Sequence, residues 1–463
     1  MSKEMLCKRL QKCGQEHVLR WWDELSADEQ DGLAAQIESL DLDFIAREKE
    51  QGSVEPSPDF LPRFEPPPAV KPSGSAQDEE AATAGEEMLA HGEVGLVLVA
   101  GGQGSRLGYD GPKGTFPIGP ITGKTLFHLH AERILAAHHK YGAAIPLYIM
   151  TSDATDQATR DFFADNDYLG LGEDGVLFFT QGNMPVVDRN WKLLMNSKNS
   201  IAVSPNGHGG CIQALKDSGM IDHMREHGIR HLSYFQVDNV LVQTTDPVFL
   251  GYHGLRESEM SLKVLSKRDP EERLGVVGSV DGKLYVVEYS DLPKEKKHER
   301  NHDGQLRYRM GSIAIHAFTV DFLDRMSQLP GGMPLHRAEK DVAYIDSDGN
   351  AQHPCGEKNG IKFESFIFDV LPEAANALVF ETVREADFSP VKNPEGEDSP
   401  ATARQDLANM YAGWLDAAGV RLPRDAQGNV ALDVEIGPLF ALDAVQLQER
   451  LAGQIRIGNR TAN

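Results

Sequence analysis

Residues 96–108 are Leu96-Val-Leu-Val-Ala-Gly-Gly-Gln-Gly-Ser-Arg-Leu-Gly108, an apolar run that ends in four glycines and one arginine. Such a run is typical of a strand buried on both faces of a parallel sheet. Glycines after the strand let backbone N–H groups approach an anion, and a helix following them would add its dipole. Arg106 adds a forked cation suited to phosphate oxygens. The stretch predicts a nucleotide-phosphate loop at the carboxyl end of a parallel strand.

Two better-known phosphate loops are excluded by their spacing. A dinucleotide-binding Gly-x-Gly-x-x-Gly fails because Leu107 stands where the third glycine is needed after Gly102. A Walker A loop needs four residues between its first glycine and Gly-Lys-Thr, and Gly119-Pro-Ile-Thr-Gly-Lys-Thr125 provides only three. We expect Thr125 to cap a helix instead.

The composition limits the possible partners. The 463 residues include 46 Lys and Arg against 70 Asp and Glu, a formal charge of −24, which argues against binding to nucleic acid or to an anionic membrane. A phosphorylated ligand must therefore be attracted by local cations or by a metal ion. The four cysteines form neither a disulfide framework nor a Cys-x-x-Cys pair. No signal peptide or apolar membrane span is expected, and we predict a cytoplasmic monomer.

The chain is predicted to consist of three consecutive parts. Residues 1–90 form an N-terminal helical region with a proline-rich connector from about Gln51 to Ser75, 91–385 form the main α/β domain, and 386–463 form a small C-terminal α+β domain. Trp21 and Trp22 lie on a short predicted helix. We expect them to dock onto the main domain, with a partner site as the alternative.

The main domain is predicted to be a doubly wound, mainly parallel sheet, because strand and helix patterns alternate along it. An apparent hairpin, 274–280 and 284–289 joined through Asp281-Gly282, is expected to lie over the substrate crevice as a lid. Two charged residues are expected at the carboxyl edge of this sheet, one just after the glycine loop and one just after a strand. Lys113 is held between Pro112 and Gly114, and Asp238 follows the strand 231–237.

Beyond the glycine stretch, many motifs of the chain resemble the eukaryotic-type UDP-sugar pyrophosphorylases, most of all the UDP-N-acetylglucosamine pyrophosphorylases. The matching stretches include Lys124-Thr-Leu-Phe127, Thr180-Gln-Gly182, Pro205-Asn-Gly-His-Gly-Gly210, Val237-Asp-Asn239, Val286-Val-Glu-Tyr-Ser290, Asn359-Gly-Ile-Lys362, Phe366-Ile-Phe-Asp369 and Phe388-Ser-Pro-Val-Lys-Asn393. The resemblance implies a Rossmann-like nucleotidyltransferase fold and a uridylyltransferase that joins UTP to a hexose 1-phosphate with release of pyrophosphate.

The resemblance also implies roles for individual residues. Arg106, Lys113 and Lys392 would be the catalytic cations, and Asp238 would bind Mg²⁺ and UTP. The other UTP-binding residues would be Gly101, Gly102, Gly104, Gln181 and Gly207. The sugar-binding residues would be His208, Gly275, Glu288, Tyr289, Ser312, Phe366 and Phe368.

Two of the sugar-side positions differ from the acetylglucosamine enzymes. His208 stands where they have asparagine and resembles the Gly-His-Gly of UDP-glucose pyrophosphorylases, and Ser312 replaces a second expected asparagine. N-acetylglucosamine 1-phosphate is the first expectation for the sugar substrate. Glucose 1-phosphate or a broad sugar range is the alternative, and an inactive nucleotide-sugar sensor is the non-enzyme alternative.

Overall fold

The computed structural model describes residues 2–50 and 60–460, and its contacts group the chain into two compact units. The first unit takes in the described residues of Met1–Asp59 with Gln181–Cys211 and Gly331–Asp369, and the second takes in those of Phe60–Thr180, Ile212–Pro330 and Val370–Asn463. These units interleave along the chain and do not share boundaries with the three consecutive parts expected above, a division that stays a prediction. Residues 51–59 of the predicted connector lie outside the described residues.

The first unit combines short helices with small antiparallel sheets. Its α-helices are Lys3–Lys12, Ala27–Ser39 and Asp43–Glu50. A three-stranded sheet has the order His336–Lys340, Gly360–Glu364, Val187–Asp188. The remaining strands pair as Asn183–Pro185 with Val203–Pro205, Met195–Ser197 with Ser200–Ile201, and Tyr344–Ile345 with Ala351–Gln352.

Trp21 and Trp22 belong to the core of the first unit. They do not lie on an α-helix as predicted, but next to each other where two 3₁₀ turns, Glu16–Leu19 and Trp22–Glu24, interrupt the helical region. Both indoles are buried in one cluster with helix residues of the same unit. Burial of this kind supports a docking role, because it leaves little indole surface for a partner.

A nine-stranded sheet forms the second unit. Its strands follow the order Lys283–Val287, Val276–Val280, Met310–Thr319, His231–Gln236, Val94–Val99, Leu147–Thr151 and Val176–Thr180, with Met260–Ser266 paired to Met310–Thr319 and Ala377–Glu381 paired to Met260–Ser266. All run in one direction except Lys283–Val287 and Met310–Thr319. The mainly parallel sheet is confirmed. The hairpin is confirmed too and continues this sheet, whereas its role as a lid stays a prediction.

Helices accompany the strands of the second unit. They are Ala76–Ala90, Leu126–Tyr141, Asp156–Asp165, Cys211–Asp217, Met220–Glu226, Pro247–Leu255, Lys294–His298, Val320–Met326, Arg384–Asp387, Pro400–Ala417 and Ala444–Arg460, the fourth beginning at the unit boundary. None of the helices within the described ranges is long and apolar enough to cross a membrane. After Glu381 the chain through 460 contains helices and two isolated bridges, Asn239 to Pro390 and Arg424 to Val430, so the short strands expected in the C-terminal part are wrong.

The helices Ala76–Ala90 and Pro247–Leu255 cross in close contact through glycines. A Cβ added to Gly251 would lie 1.6 Å from the Ala81 carbonyl oxygen, and one on Gly85 would lie 1.9 Å from that of Pro247. Backbone atoms cannot move aside as a flexible side chain can. The crossing therefore requires glycine at both positions.

We predict that Gly251→Ala lowers the free energy of unfolding by about 2–3 kcal/mol, because the methyl group forces the two helices apart. Urea unfolding followed by circular dichroism measures the change. Gly413→Ala is the matched control: it lies in the helix Pro400–Ala417 with no atom near an added Cβ, and should be neutral or slightly stabilising. Equal unfolding midpoints for Gly251→Ala and the wild type would contradict this close packing.

Candidate active site

The glycine loop follows the central parallel strand Val94–Val99, which is paired on both sides. The Ala100 N–H still donates to Met150, and the Ser152 hydroxyl donates to the Gly101 carbonyl oxygen at 2.7 Å, which anchors the start of the loop. The N–H groups of Gly101, Gly102 and Gln103 then donate to nothing in residues 2–50 and 60–460. Three successive unpaired amides are suited to an anion.

The rest of the loop is closed by its own hydrogen bonds. The Lys113 N–H donates to the Gly102 carbonyl, and the Gly104 N–H donates to that of Gly111, each at 2.9 Å. Gly104 packs closely against Tyr109, because a Cβ added to Gly104 would lie only 2.8 Å from the Tyr109 ring. A Cβ added to Gly102 would meet no atom within 4 Å. One 3₁₀ turn, Ser105–Leu107, follows the loop, so the helix dipole considered above is not available.

Arg106 lies on this turn with its side chain exposed. It forms no ion pair with any residue that the structure describes, so its guanidinium is available to a ligand.

Lys113 and Asp238 meet at the carboxyl edge of the parallel strands. Lys113 opens a 3₁₀ turn after Pro112, Asp238 follows the strand His231–Gln236, and the Lys113 Nζ lies 2.8 Å from Asp238 Oδ2. Both side chains are largely buried. Burial by itself would raise the pKa of Asp238, but the charges of Lys113 and Lys392 outweigh it and hold that pKa below the ordinary value. The carboxylate therefore stays ionised at neutral pH.

Lys392 lies close enough to the same carboxylate for its charge to lower the pKa of Asp238. The Val391 N–H donates to the Asp238 carbonyl at 3.0 Å, and the Lys392 N–H donates to that of Asp398. The Lys392 ammonium lies 5.6 Å from the centre of the Phe388 ring. The structure thus brings Lys113, Asp238 and Lys392 together, as predicted.

The turn that carries Asp238 is supported from below by the helix Leu126–Tyr141, which Thr125 caps as expected. His130 Nε2 hydrogen-bonds to the Val237 carbonyl at 2.9 Å, and Arg133 donates to that of Val240 at 2.6 Å. The pKa of His130 is lowered to about 3. Burial is the main cause, the charge of Arg133 adds to it, and the hydrogen bond to Val237 offsets it only in part. The imidazole is therefore neutral in the folded protein.

This histidine gives the stability a pH dependence. Between pH 6.5 and 3 the unfolded chain binds a proton at His130 that the folded chain rejects, so His130 lowers the stability as the pH falls, by at most about 1.4 kcal/mol per pH unit. We predict that His130→Gln loses less stability than the wild type from pH 7.5 to pH 5.0 in urea unfolding. If the free energies of unfolding of His130→Gln and the wild type differ by the same amount at pH 7.5 and at pH 5.0, the prediction is wrong.

Three of the four predicted sugar-side residues of the second unit lie together. The Ser312 N–H donates to the Gly275 carbonyl at 2.8 Å, and a Cβ on Gly275 would lie 3.3 Å from Glu288 Oε1. Tyr289 follows Glu288 at the end of the hairpin and is partly exposed. Glu288 and Ser312 are thus both neighbours of Gly275, and their side chains are of the types that hydrogen-bond to sugar hydroxyls.

The first unit holds another group of predicted residues, around His208. Gly207 has φ +82°, and a Cβ on it would lie 2.4 Å from the Ser365 carbonyl oxygen, so both conformation and space require glycine. The His208 ring stacks on Phe366 at 5.4 Å and meets Phe368 edge-on at 5.8 Å. These contacts bring Gly207, from the predicted UTP-binding set, together with His208, Phe366 and Phe368, from the predicted sugar-binding set.

His208 is held in one neutral form. The Ile367 N–H donates to Nδ1 at 3.2 Å, which leaves the proton on Nε2 as a hydrogen-bond donor. Burial and the charge of His336 lower the pKa of His208 to about 4. Gln181 begins the first unit's second segment, and its amide makes no hydrogen bond within the described parts of the chain.

The loop Gly119–Thr125, which fails the Walker A spacing, binds a carboxylate of the protein itself. Its Ile121 and Thr122 N–H groups each donate to Glu435 Oε2 at 2.8 Å, and the Thr122 hydroxyl donates to Oε1 at 2.6 Å. Lys124 is paired with Glu132. The loop is therefore occupied within the second unit, which agrees with its exclusion as a phosphate loop.

Sequence reasoning missed the polar residues that hold the Asp238 turn to the Lys392 segment. Lys263, in the middle of the strand Met260–Ser266, is fully buried between Asp246 and Asp387. Asn239, next to Asp238, hydrogen-bonds to the backbone of Asp387 and Ser389. The available signal was a lone charged residue within an otherwise uncharged strand, since a buried lysine needs acidic partners.

An edge of parallel strands with unpaired loop amides and two lysines around a carboxylate is the setting of a nucleotide-binding α/β protein. The comparisons make the class specific, because residues 65–397 match the model of the UTP–glucose-1-phosphate uridylyltransferase family. The chain belongs to this family and is a nucleotidyltransferase, and its resemblance to the UDP-sugar pyrophosphorylases is confirmed.

Similar proteins cover nearly the whole chain. The human "UDP-N-acetylhexosamine pyrophosphorylase-like protein 1" is 36% identical over 98% of this chain and 96% of its own, and UDP-N-acetylglucosamine diphosphorylase 1 of Arabidopsis thaliana is 36% identical over 98% and 92%. The crystal structure of the uridine diphosphate N-acetylglucosamine pyrophosphorylase from Trypanosoma brucei superposes with a TM-score of 0.81 at 27% identity, covering 98% of this chain and 96% of that one.

Proposed function

We propose that the protein transfers the uridylyl group of UTP to a hexose 1-phosphate, N-acetylglucosamine 1-phosphate first of all, and releases pyrophosphate. The observation that carries the proposal is the Lys113–Asp238 pair, 2.8 Å apart, at the same sheet edge as the unpaired amides of the glycine loop. The similar proteins named for N-acetylhexosamine or N-acetylglucosamine support the choice of sugar.

The reaction needs no nucleophile from the protein. The phosphate oxygen of the sugar substrate is an anion at neutral pH and can attack the α-phosphorus of UTP as pyrophosphate departs. The enzyme supplies position and neutralises charge. Lys113, Lys392 and the exposed Arg106 provide cations, and the amides of Gly101 and Gly102 provide hydrogen bonds to phosphate oxygens.

The residues present fit Mg²⁺ bound together with the nucleotide. Within residues 2–50 and 60–460 no three His, Cys, Asp or Glu side chains are grouped as a metal site. A single carboxylate such as Asp238 fits Mg²⁺, which keeps water ligands and is held by one or two carboxylates plus substrate phosphates. We propose Asp238 as its protein ligand, and the bound ion would neutralise phosphate charge.

The remaining residues would select the two substrates. Gln181 and the backbone of Gly207 are proposed to hydrogen-bond the uracil edge, for which a free amide offers both a donor and an acceptor. On the sugar side we propose Glu288, Ser312 and the Nε2–H of His208 as hydrogen-bonding groups. Gly275 and Tyr289 of the second unit, and Phe366 and Phe368 of the first, are proposed to contact the sugar as well. We further propose a cytoplasmic monomer.

A coupled pyrophosphate assay with UTP and a panel of sugar 1-phosphates tests the proposal. Pyrophosphate release with N-acetylglucosamine 1-phosphate at the highest kcat/KM is expected. A preference for glucose 1-phosphate, or similar rates with many sugars, would support the alternative that His208 and Ser312 suggest. No release with any sugar, but stabilisation by UTP in a thermal-shift assay, would indicate a nucleotide sensor.

The two altered positions should control the sugar preference. We predict that Ser312→Asn and His208→Asn each raise the ratio of kcat/KM for N-acetylglucosamine 1-phosphate over glucose 1-phosphate by about tenfold, because an amide adds a donor and an acceptor. Ser327→Asn, at the end of the helix Val320–Met326, is the control and should leave the ratio unchanged. Unchanged ratios in both test variants would remove these residues from the sugar site.

A further inference from the structure

A buried cluster of three charges lies within the second unit. Lys263 is fully buried, and its Nζ lies 2.7 Å from Asp246 Oδ2 and 2.7 Å from Asp387 Oδ2. The rings of Phe249 and Phe380 cover the ammonium at 5.4 and 5.8 Å. Burial would lower the pKa of Lys263, but the two aspartates outweigh it and raise that pKa, so the lysine is charged.

A cluster of this kind does little for stability, because desolvation of the charges offsets their attraction. The cluster does fix the positions of its three side chains, because moving any of them would leave a largely buried charge without its partner. Asp387 is further held by the Thr382 hydroxyl, which donates to Oδ2 at 2.7 Å, and by the Gln243 N–H, which donates to Oδ1 at 3.2 Å.

From Asp387 the hydrogen bonds continue to the chain segments that carry Asp238 and Lys392. The Asp387 carbonyl accepts from the Asn239 amide at 2.7 Å, and Asn239 Oδ1 accepts from the Ser389 N–H at 3.0 Å. Asn239 directly follows Asp238, and Ser389 lies three residues before Lys392. Asp387 therefore joins the turn of Asp238 to the segment of Lys392.

We propose that Lys263 is a positioning residue for the uridylyl transfer: it locks Asp387, and through Asn239 and Ser389 it holds Lys392 in place against Asp238. This inference rests on the proposed function, because it takes Lys392 as a phosphate-binding cation. Lys263 does not contact substrate. Its effect reaches the reaction through Lys392.

A double-mutant cycle on kcat/KM tests the inference. Lys263→Met, which keeps the length of the side chain, should lower kcat/KM about 10- to 100-fold in the wild-type background, as expected for a displaced catalytic group. In the Lys392→Ala background the same substitution should cost less than about threefold, because the group that it positions is gone. Circular dichroism verifies that each variant is folded at the assay temperature.

A purely structural role would give the same loss in both backgrounds, and that additive result would overturn the inference while leaving the proposed function intact. A wild-type protein that releases no pyrophosphate with any sugar 1-phosphate would overturn both. Lys216→Met is the matched control. It removes a lysine paired with Asp324 at 2.9 Å in the same unit and should leave kcat/KM unchanged.

Lys263→Met leaves two buried aspartates facing each other, so a milder variant is run beside it. Thr382→Val keeps the side-chain shape and removes one hydrogen bond to Asp387. It should lower kcat/KM about 3- to 10-fold in the wild-type background and have no further effect in Lys392→Ala. If Lys263→Met does not fold, the Thr382→Val cycle decides, and an additive result there overturns the inference.

Discussion

Lys113→Met is expected to lower kcat/KM for uridylyl transfer by about 10²–10³-fold while the protein remains folded. The ammonium beside the glycine loop stabilises charge that builds up on the phosphates during transfer, and a thioether of similar length cannot. Removing Lys113 also takes away the 2.8 Å partner of Asp238, so the pKa of this carboxyl should rise. Pyrophosphate release measured with UTP and N-acetylglucosamine 1-phosphate gives the effect on rate.

Lys140→Met provides the comparison, since Lys140 is paired with Glu86 at 3.3 Å on a helix of the same unit. It should retain the activity of the wild type. Lys113→Arg should retain more activity than Lys113→Met, because the charge remains although its shape changes. Full activity of folded Lys113→Met would exclude Lys113 from the phosphate site.

Asp238→Asn is expected to have an effect of similar or larger size, about 10³-fold on kcat, because the amide keeps the shape but loses the charge that binds Mg²⁺ and balances two lysines. UTP-dependent Mg²⁺ affinity should weaken in parallel when activity is titrated with Mg²⁺. Wild-type Mg²⁺ dependence in this variant would show that another group binds the ion.

The same substitution should change acid stability. The pKa of Asp238 is lowered in the folded protein, so its charged form stabilises the fold above its unfolded pKa of about 4, and this contribution disappears as the pH falls further. The wild type should therefore lose more stability than Asp238→Asn between pH 5 and pH 3. Asp23→Asn is the control, because the Asp23 side chain is exposed and its loss should leave the acid stability close to that of the wild type. Asp246 is unsuitable as a control because it is paired with the buried Lys263.

The glycine loop could be predicted because local chemistry decides it. An apolar run such as Leu96–Val99 can be buried only as a strand or a core helix, and the glycines that follow end it abruptly. Asp238 could be placed for the same reason, since parallel strands bring their carboxyl ends to one edge. The Lys113 contact with Asp238 confirms that placement.

Other parts depend on contacts between distant residues. The strand Met310–Thr319 pairs antiparallel with His231–Gln236, Met260–Ser266 and Val276–Val280, and no local pattern specifies such partners. Trp21 and Trp22 show apolar spacing that also suits a helix, but burial of both indoles is achieved by 3₁₀ turns.

The residues around the site were predicted less well than those in it. Ser261 and Lys263 give the strand Met260–Ser266 the alternation of a half-exposed strand, yet both are fully buried. Only the positions of Asp246 and Asp387, far apart in sequence, explain the buried lysine. Sequence reasoning could not supply that pairing.

The carboxylate of Glu435 has a practical consequence for preparing shortened forms of the protein. The family match ends at residue 397, but Glu435 closes the loop that precedes the helix carrying His130 and Arg133. Arg404 also donates to the Pro117 carbonyl, next to the same loop. An expression boundary drawn at the end of the family match would remove both contacts, so a shortened protein that keeps this support must extend beyond Glu435.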